Sequence, residues 1–420
     1  MRGRLRSVRR RSRLAPRRTR SDDPAAARRV AGHTPAVKLP DPYERLLELR
    51  AGCRDQLQQI SAAQSSLQPH PELSPLIWHV GHCFFTESLW LRRRVLGEQD
   101  ARDDARAALY TPEQSSKHLR GSRAPDVDAL LRETRQSEGE CVDAWSRAAT
   151  SGHALMQDDY LPWFIVQHYA QHLETMAMVA QQLRMGATGP DAHCGPRLTA
   201  TGDQLPAWLD FAAARCRLGT QANPQAYDNE LVAHDVELPP YRLGQQPVSN
   251  ANWLTFMQDG GYRRPDLWDT EGWAWRRQTG IEHPLHWREA SGGWTSADPA
   301  DPLLAQAPVH GICWHEACAF ARWAGARLPN EAELEHAARL DRLPGRGQVW
   351  EWCANALAPY PGFEAYPYAG YSQAWFDGRH RVLRGGSRHT HAELRRPGFR
   401  NFYPETHRHV FAGLRLAADA

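Results

Sequence analysis

Residues 163–176 read WFIVQHYAQHLETM, and the organisation of the chain follows from them. His168 and His172 stand four apart, so on a helix both imidazoles lie on one face and can grip one ion from the same side. Glu174 follows two residues later. An earlier stretch, residues 74–91, reads SPLIWHVGHCFFTESLWL and carries His79 and His82 three apart. One histidine from the earlier helix and two from the later one make a three-histidine site, the usual way a helical bundle builds a metal centre. Neutral imidazole suits iron, zinc, copper or nickel, so these residue types leave the metal open. The chain holds twenty histidines, and a pair at this spacing also arises from composition alone; the second histidine-bearing helix lifts the metal reading above that.

A chain of 420 residues is long enough for two domains, and 41% apolar residues can fill ordinary cores. No apolar run reaches the roughly 18 residues of a membrane span. The eight cysteines form no CxxC pair, which argues against a zinc ribbon or dense disulfide scaffold and fits a reducing cytoplasm. Ten arginines and no acid fall in the first 20 residues; without them 41 basic residues face 48 acidic ones, a net charge near −7. The body of the chain is therefore not a basic nucleic-acid binder. The tail, residues 1–40, lacks the apolar core of a secretory signal and reads as disordered.

From Asp41 onward the pattern is helical. One helix begins at PYERLLELR, and a second follows Ser74-Pro75 and runs to about Leu96. A third spans about 124–149, and a fourth runs from near Asp159 through the histidine pair to Arg184. Four such helices make a four-helix bundle over residues 41–188. Residues 189–228 are rich in Gly, Pro and polar residues and read as a linker. Residues 229–420 are dense in tryptophan and glycine. They show clear helices only at 315–324 and 331–339, and read as a compact α+β domain.

Five phrases of the second half occur together: RLGQQPVSNANWLTFMQDGGYRRPDLW (242–268), CWHEACAFARWAGARLPNEAELEHAAR (313–339), QVWEWCAN (348–355), VLRGGS (382–387) and FAGLRLA (411–417). Their order resembles the formylglycine-generating-enzyme-like fold, a variant of the C-type lectin fold. The first half, with SPLIWHVGH and HYAQHLETM, resembles the DinB-like metal-binding bundle. The two fused in this order resemble the ergothioneine sulfoxide synthase family and its relative, selenoneine synthase.

That resemblance implies His82, His168 and His172 as ligands of a non-heme Fe(II) that works with O2. His79 and Glu174 would orient the ligands or brace the helix. It implies hercynine, the trimethylammonium betaine of histidine, as one substrate. Gln171, Asn401 and Phe402 would contact it, the last by cation–π attraction. A tyrosine of the loop PYPGFEAYPYAGYS (359–372) would handle a proton or hydrogen atom; Tyr366 is the first choice and Tyr368 the second, over Tyr360 and Tyr371.

The chain departs from the pattern where the sulfur enzymes read Arg-Asn-Trp-Asp; it reads Arg400-Asn401-Phe402-Tyr403. Tyrosine cannot pair with the ammonium of a thiol amino acid, so Tyr403 favours a selenosugar donor and a selenoneine synthase. Arg120 and Arg123 stand where the thiol-using relatives place donor-binding arginines, and they favour cysteine or γ-glutamylcysteine, the ergothioneine alternative. A DinB-type thiol transferase and a non-enzymatic lectin-like protein are the other readings. A formylglycine-generating enzyme needs a copper-binding cysteine pair, and residues 388–420 hold no cysteine. The expected protein is a two-domain cytoplasmic enzyme with no nucleic-acid or membrane partner.

Overall fold

A computed structural model describes residues 41–187, 194–199, 204–221 and 223–420. The expectation of a disordered arginine-rich tail falls on residues 1–40, outside the described residues. Asp41 caps the first helix, its carboxylate accepting from Tyr43 N, and Pro42 occupies the first turn, where a missing N–H costs nothing. The helices of the first half are α1 (Pro42–Gln58), α2 (Ala62–Ser65), α3 (Leu76–Ser88), α4 (Asp103–Tyr110), α5 (Lys117–Arg123), α6 (Val127–Ala149) and α7 (Tyr160–Ala187). The chain continues from α3 through a wider-wound turn, Leu89–Val95, so the expected helix to about Leu96 is present but changes pitch.

α1, α3, α6 and α7 pack as the four-helix bundle. Leu46, Val80, Phe84, Ile165 and Val179 are among its buried residues. Each such side chain contributes roughly 1.5–3 kcal/mol on leaving water. Across this core runs a buried ion pair, Arg50 with Glu87, whose carboxylate also accepts from Trp145 Nε1 and Tyr169 Oη at 2.9 Å each. One carboxylate thus joins all four helices.

The second half holds strands β1 (Cys194–Leu198), β2 (Trp208–Phe211), β3 (Ala214–Leu218), β4 (His234–Leu238), β5 (Tyr241–Gly244), β6 (Trp287–Ala290), β7 (Gly293–Ser296), β8 (Trp350–Ala356), β9 (His380–Arg384), β10 (Asn401–Pro404), β11 (Ala412–Gly413) and β12 (Ala417–Asp419). Its helices are α8 (Asn250–Gln258), α9 (Thr270–Thr279), α10 (Trp314–Trp323) and α11 (Glu331–Arg339). The largest sheet has the order β10-β9-β8-β11, antiparallel except for the last pair. Around it Trp253, Trp287, Trp350 and Trp352 are fully buried. Glu331, at the start of α11, takes both Arg384 of β9 and Arg400, and so ties helix to sheet.

Two features differ from the sequence reading. The segment expected as linker, 189–228, carries β1, β2 and β3, which pair with β7, β5 and β4. Gly195 and Pro196 fall inside β1, an edge strand, where a missing ladder donor is tolerated. Helices α8 and α9 were not anticipated; Ser249 and Asn252 form a capping box for α8, and Asp269 caps α9.

Residues 41–420 form one compact unit. α7 is its spine. Gln167 accepts from Arg396, Gln171 bonds Tyr227 and Tyr371, Glu174 accepts from Trp350, Ser387 and Thr390, and Arg184 pairs with Asp298. Gln167, Gln171 and Glu174 fall on one stripe of α7, and His168 and His172 lie roughly 100–140° round the helix from Gln167. The same helix therefore docks the second half and presents the histidine pair.

Candidate metal centre

His82 on α3 meets the pair on α7. Its Nε2 lies 3.1 Å from His168 Nε2, and its ring is 4.7 Å from that of His172. One ring nitrogen from each of His82, His168 and His172 lies within 4.8 Å of the others. Metal–imidazole bonds of about 2.0–2.1 Å place neighbouring ligand nitrogens roughly 3.0–3.4 Å apart, so the closest pair already has ligand spacing.

His82 Nδ1 lies 2.7 Å from the Tyr110 carbonyl. A carbonyl only accepts, so the proton sits on Nδ1 and the Nε2 lone pair faces His168. Gly81 makes this approach possible, because a Cβ there would stand 2.3 Å from the Tyr110 ring. The His82 ring also stacks on Trp78 at 4.7 Å and 11°, and the Arg120 guanidinium sits 3.9 Å from the Trp78 centroid. His172 Nδ1 is held 2.9 Å from His79 Nδ1. His79 is thus the imidazole in contact with His172.

Burial pushes the His82 imidazole down to about 4, against the opposing pull of the Tyr110 carbonyl. Burial, then the neighbouring imidazoles, holds His168 and His172 well below the ordinary range. All three are neutral at pH 7, the form that binds a metal. His168 Nδ1 is buried with no partner. A donor set of three neutral imidazoles, one buried and two half-buried, fits a redox-active divalent ion with open positions.

Glu174 braces the helix rather than touching a ligand. Its carboxylate accepts from Trp350 Nε1 at 2.8 Å and from the Ser387 and Thr390 hydroxyls. Burial raises its pKa, and the three hydrogen bonds oppose that rise.

The remaining expected residues divide. Gln171 Oε1 accepts from Tyr227 Oη at 2.9 Å, and its Nε2 donates to Tyr371 Oη at 3.1 Å. Those two phenols stack at 4.1 Å. Tyr371 is thus the loop tyrosine that reaches α7 beside His172. Tyr366 packs on Tyr160 at 4.6 Å and Tyr368 near Trp90 at 5.6 Å; they remain 39% and 44% exposed. Burial lifts the Tyr368 phenol to about 12.

Side chains alternate along β10, so Asn401 and Tyr403 share one face and Phe402 takes the other. Phe402 lies near Trp375 and His380, and the structure does not bring its ring to the histidines. Tyr403 faces the core that includes α7, where burial and the charge of Glu174 raise its pKa. Arg120 is buried and donates to the Ser115 carbonyl, Ser74 Oγ and the Pro112 carbonyl, while Arg123 is exposed.

A second group, His286, Asp301 and His310, also offers close ligand atoms. There the two imidazoles stack in parallel at 4.0 Å, so their lone pairs run side by side rather than converging. Asp301 is already taken by His310 and Arg388, which makes this an ion-pair network.

Residues 45–176 match the DinB superfamily, and residues 212–345 and 343–420 match the sulfatase-modifying factor enzyme 1-like domain. The hercynine oxygenase of Mycobacterium tuberculosis is 32% identical over 85% of this chain and 94% of its own length. The chain belongs to the hercynine oxygenase family. The hercynine oxygenase of Mycolicibacterium smegmatis is likewise 32% identical over 85% of this chain and 94% of its own. Ergothioneine biosynthesis protein 1 of Schizosaccharomyces pombe is 22% identical over 61% of this chain and 39% of its own. Like its family, the chain is an enzyme, and its histidine triad is a group that could hold a metal ion. No described helix is long and apolar enough to cross a membrane.

Trp78 and Tyr110, which orient His82, escaped the sequence reading. Trp78 stands four residues before His82, a helical neighbour that periodicity could have found. Tyr227 and Tyr371 carry no such signal, because their link to Gln171 spans 56 and 200 residues.

Proposed function

We propose that the chain is an iron- and O2-dependent oxygenase that joins a chalcogen donor to the imidazole carbon between the ring nitrogens of hercynine. The observation that carries this is the His82–His168–His172 triad, with His82 buried and the other two half-buried, in a chain that spans 94% of a relative named hercynine oxygenase. Zinc suits the same ligands but has no redox chemistry. Iron held there would pass to dioxygen the electrons that hercynine and the donor lose as the carbon–chalcogen bond replaces their C–H and chalcogen–H bonds.

The residues of the chain supply position. Trp78 and the Tyr110 carbonyl fix His82, His79 fixes His172, and the Tyr227–Tyr371 clamp sets the amide of Gln171 for hercynine. Asn401 is the residue of this strand proposed to contact hercynine, while Phe402, on the other face beside Trp375 and His380, packs away from the histidines. Tyr366 and Tyr368 are the loop phenols that the resemblance proposes for proton or hydrogen-atom transfer, and Tyr371, bonded to Gln171 beside His172, is the one the geometry favours.

The relatives favour a sulfur donor, and a thiol is the first donor to test. Tyr403 favours a second reading, a selenosugar. Arg120 supports it further, because its nitrogens are spent on protein oxygens. Arg123, at the surface, would be the remaining arginine for a charged donor.

Protein loaded anaerobically with Fe(II) and given hercynine, oxygen and one donor at a time tests the reading. The expected result is oxygen-dependent loss of hercynine and a donor adduct by mass spectrometry. Full iron occupancy with no loss of hercynine for any donor refutes it.

A further inference from the structure

The loop that joins α11 to β8, residues 340–349, and the segment after β9, residues 385–395, border a cavity of about 260 Å3. Asp341, Arg346 and Arg395 line it, together with Gly345, Gly347 and Gly385. Two of the glycines keep it open. Gly347 and Gly385 have φ of +88° and +96°, left-handed values that a side chain resists. A Cβ at Gly347 would stand 3.7 Å from Arg395 Nη1, and one at Gly385 would stand 3.7 Å from Arg346 Cγ. The room is just under the roughly 300 Å3 at which pockets for drug-sized ligands begin, so it suits a small molecule.

Neighbouring arginines are already matched. Arg339 bonds Glu335, Arg384 and Arg400 bond Glu331, and Arg415 bonds Glu351. Arg346 and Arg395 differ, because among the described residues they donate only to main-chain carbonyls. Arg346 Nη2 donates to the Arg395 carbonyl. Arg395 donates from Nε to the Thr390 carbonyl at 2.8 Å, and from Nη2 to those of Ser387 and Arg388 at 3.1 and 3.2 Å. A guanidinium carries five N–H donors, so Arg346 keeps four of them and Arg395 the two on Nη1.

The nearby acids do not cancel these charges. Glu351 gives both its oxygens to Arg415, and Asp341 is exposed at the rim. Burial holds the Arg346 pKa below its ordinary value; Glu351 and Asp341 pull it back, and the charge of Arg395 lowers it further. An oxygen ligand with two charges meets both guanidiniums at once, whereas one carboxylate carries a single charge. A phosphoryl group carries about −1.5 to −2 at neutral pH, and the planar fork of an arginine matches its oxygens two at a time. Asp341 can then accept from hydroxyls carried beside that group.

We propose that Arg346 and Arg395 bind a phosphoryl group, either as free phosphate or on a small hydroxylated phosphate monoester. None of these residues belongs to the metal centre, so the site stands or falls apart from the hercynine reading. Its place in the fold gives it a bearing on that centre. Arg395 holds the loop 387–390, and the Ser387 and Thr390 hydroxyls of that loop grip Glu174 on α7. The ligand would therefore sit against the segment that docks the metal-bearing helix.

The test is titration calorimetry on the full chain loaded anaerobically with Fe(II). Inorganic phosphate and glucose 6-phosphate are the probes, and glucose is the uncharged control. Wild type is expected to bind phosphate or its ester saturably at a single site, and glucose not at all. Tighter binding of the ester identifies a phosphate monoester as the ligand, and tighter binding of the ion identifies free phosphate; either supports the proposal. Arg346→Met keeps the apolar stem and removes the guanidinium, and is expected to weaken binding about tenfold or more, the usual cost of losing a charge-assisted hydrogen bond. Arg346→Lys keeps the charge without the fork and is expected to fall between the two. No saturable binding, glucose binding equal to that of its phosphate, or unchanged affinity in Arg346→Met overturns the proposal. Phosphate held on the metal instead would bind Arg346→Met as it binds wild type, and so counts against the proposal. If Arg346→Met does not fold by circular dichroism, Arg346→Lys decides: weakened binding supports the site, and unchanged binding overturns it.

Discussion

Glu174→Ala should loosen the hold of the metal-bearing helix on the second half of the chain. The wild-type carboxylate accepts from Trp350 Nε1, Ser387 Oγ and Thr390 Oγ1, and Glu174 is 5% exposed. Truncation strands these donors away from water. Ser387 and Thr390 lie 3.3 Å apart and can partly pair with each other, which leaves the indole N–H and one hydroxyl orphaned. At about 1–3 kcal/mol for each, the expected loss is about 2–6 kcal/mol. Glu174→Gln is the control. Its amide oxygen keeps the Trp350 and Ser387 bonds, and its NH2 donates to a Thr390 hydroxyl that can rotate, so the expected loss is about 1 kcal/mol. Urea unfolding followed by tryptophan fluorescence and circular dichroism measures both variants. Because His172 rides on the same helix turn, metal affinity by titration should fall with Glu174→Ala and hold with Glu174→Gln. An alanine variant within about 1 kcal/mol of wild type would refute the idea that this carboxylate couples the two halves.

Alanine at His82, His168 or His172 should take the Fe(II) or Co(II) stoichiometry from one to near zero while the far-ultraviolet spectrum stays helical; a retained ion would remove that residue from the ligand set. His79→Phe should weaken metal binding about 10–100-fold, the usual cost of losing a group that orients a ligand, as read by competition with a chelator. Gly81→Ala should do the same by a different route, displacing the Tyr110 ring and with it the carbonyl on His82 Nδ1; unchanged affinity would show that this contact does not set the ligand. Glu331 gives a pH test. Burial would raise its pKa, but Arg400 and Arg384 overcome that and hold it at about 2, below the ordinary 4.5. A depressed carboxylate stabilises the fold above its ordinary pKa and loses that contribution as pH falls toward 2, here about 3 kcal/mol. Unfolding free energies between pH 5 and 2.5 should therefore fall less steeply in Glu331→Gln than in wild type.

What the sequence disclosed and what it hid follow from the range of each signal. The helix period placed α1, α3, α6 and α7 within a few residues, and the i, i+4 spacing put His168 and His172 on one face, because both are local properties of a helix. The second histidine-bearing helix was legible as well, but its spacing left His79 and His82 both open, and only the family resemblance pointed to His82. The strands in 189–228 were hidden because each is only four or five residues long, too short for even the alternation of β3 (ARCRL) to stand out, and the partner of β1 lies 96 or more residues away in β7.

The site shows the same limit more sharply. Gln171 is one residue from a ligand and easily suspected, yet its two phenolic partners come from segments 56 and 200 residues further on. Arg120 reads from its position as a donor-binding arginine; the structure spends its donors on three protein oxygens and stacks it on Trp78, which in turn stacks on His82. A charge in a sequence says nothing about whether its counter-groups are already in place. That accounting separates a residue that can receive a substrate from one that holds a ligand still.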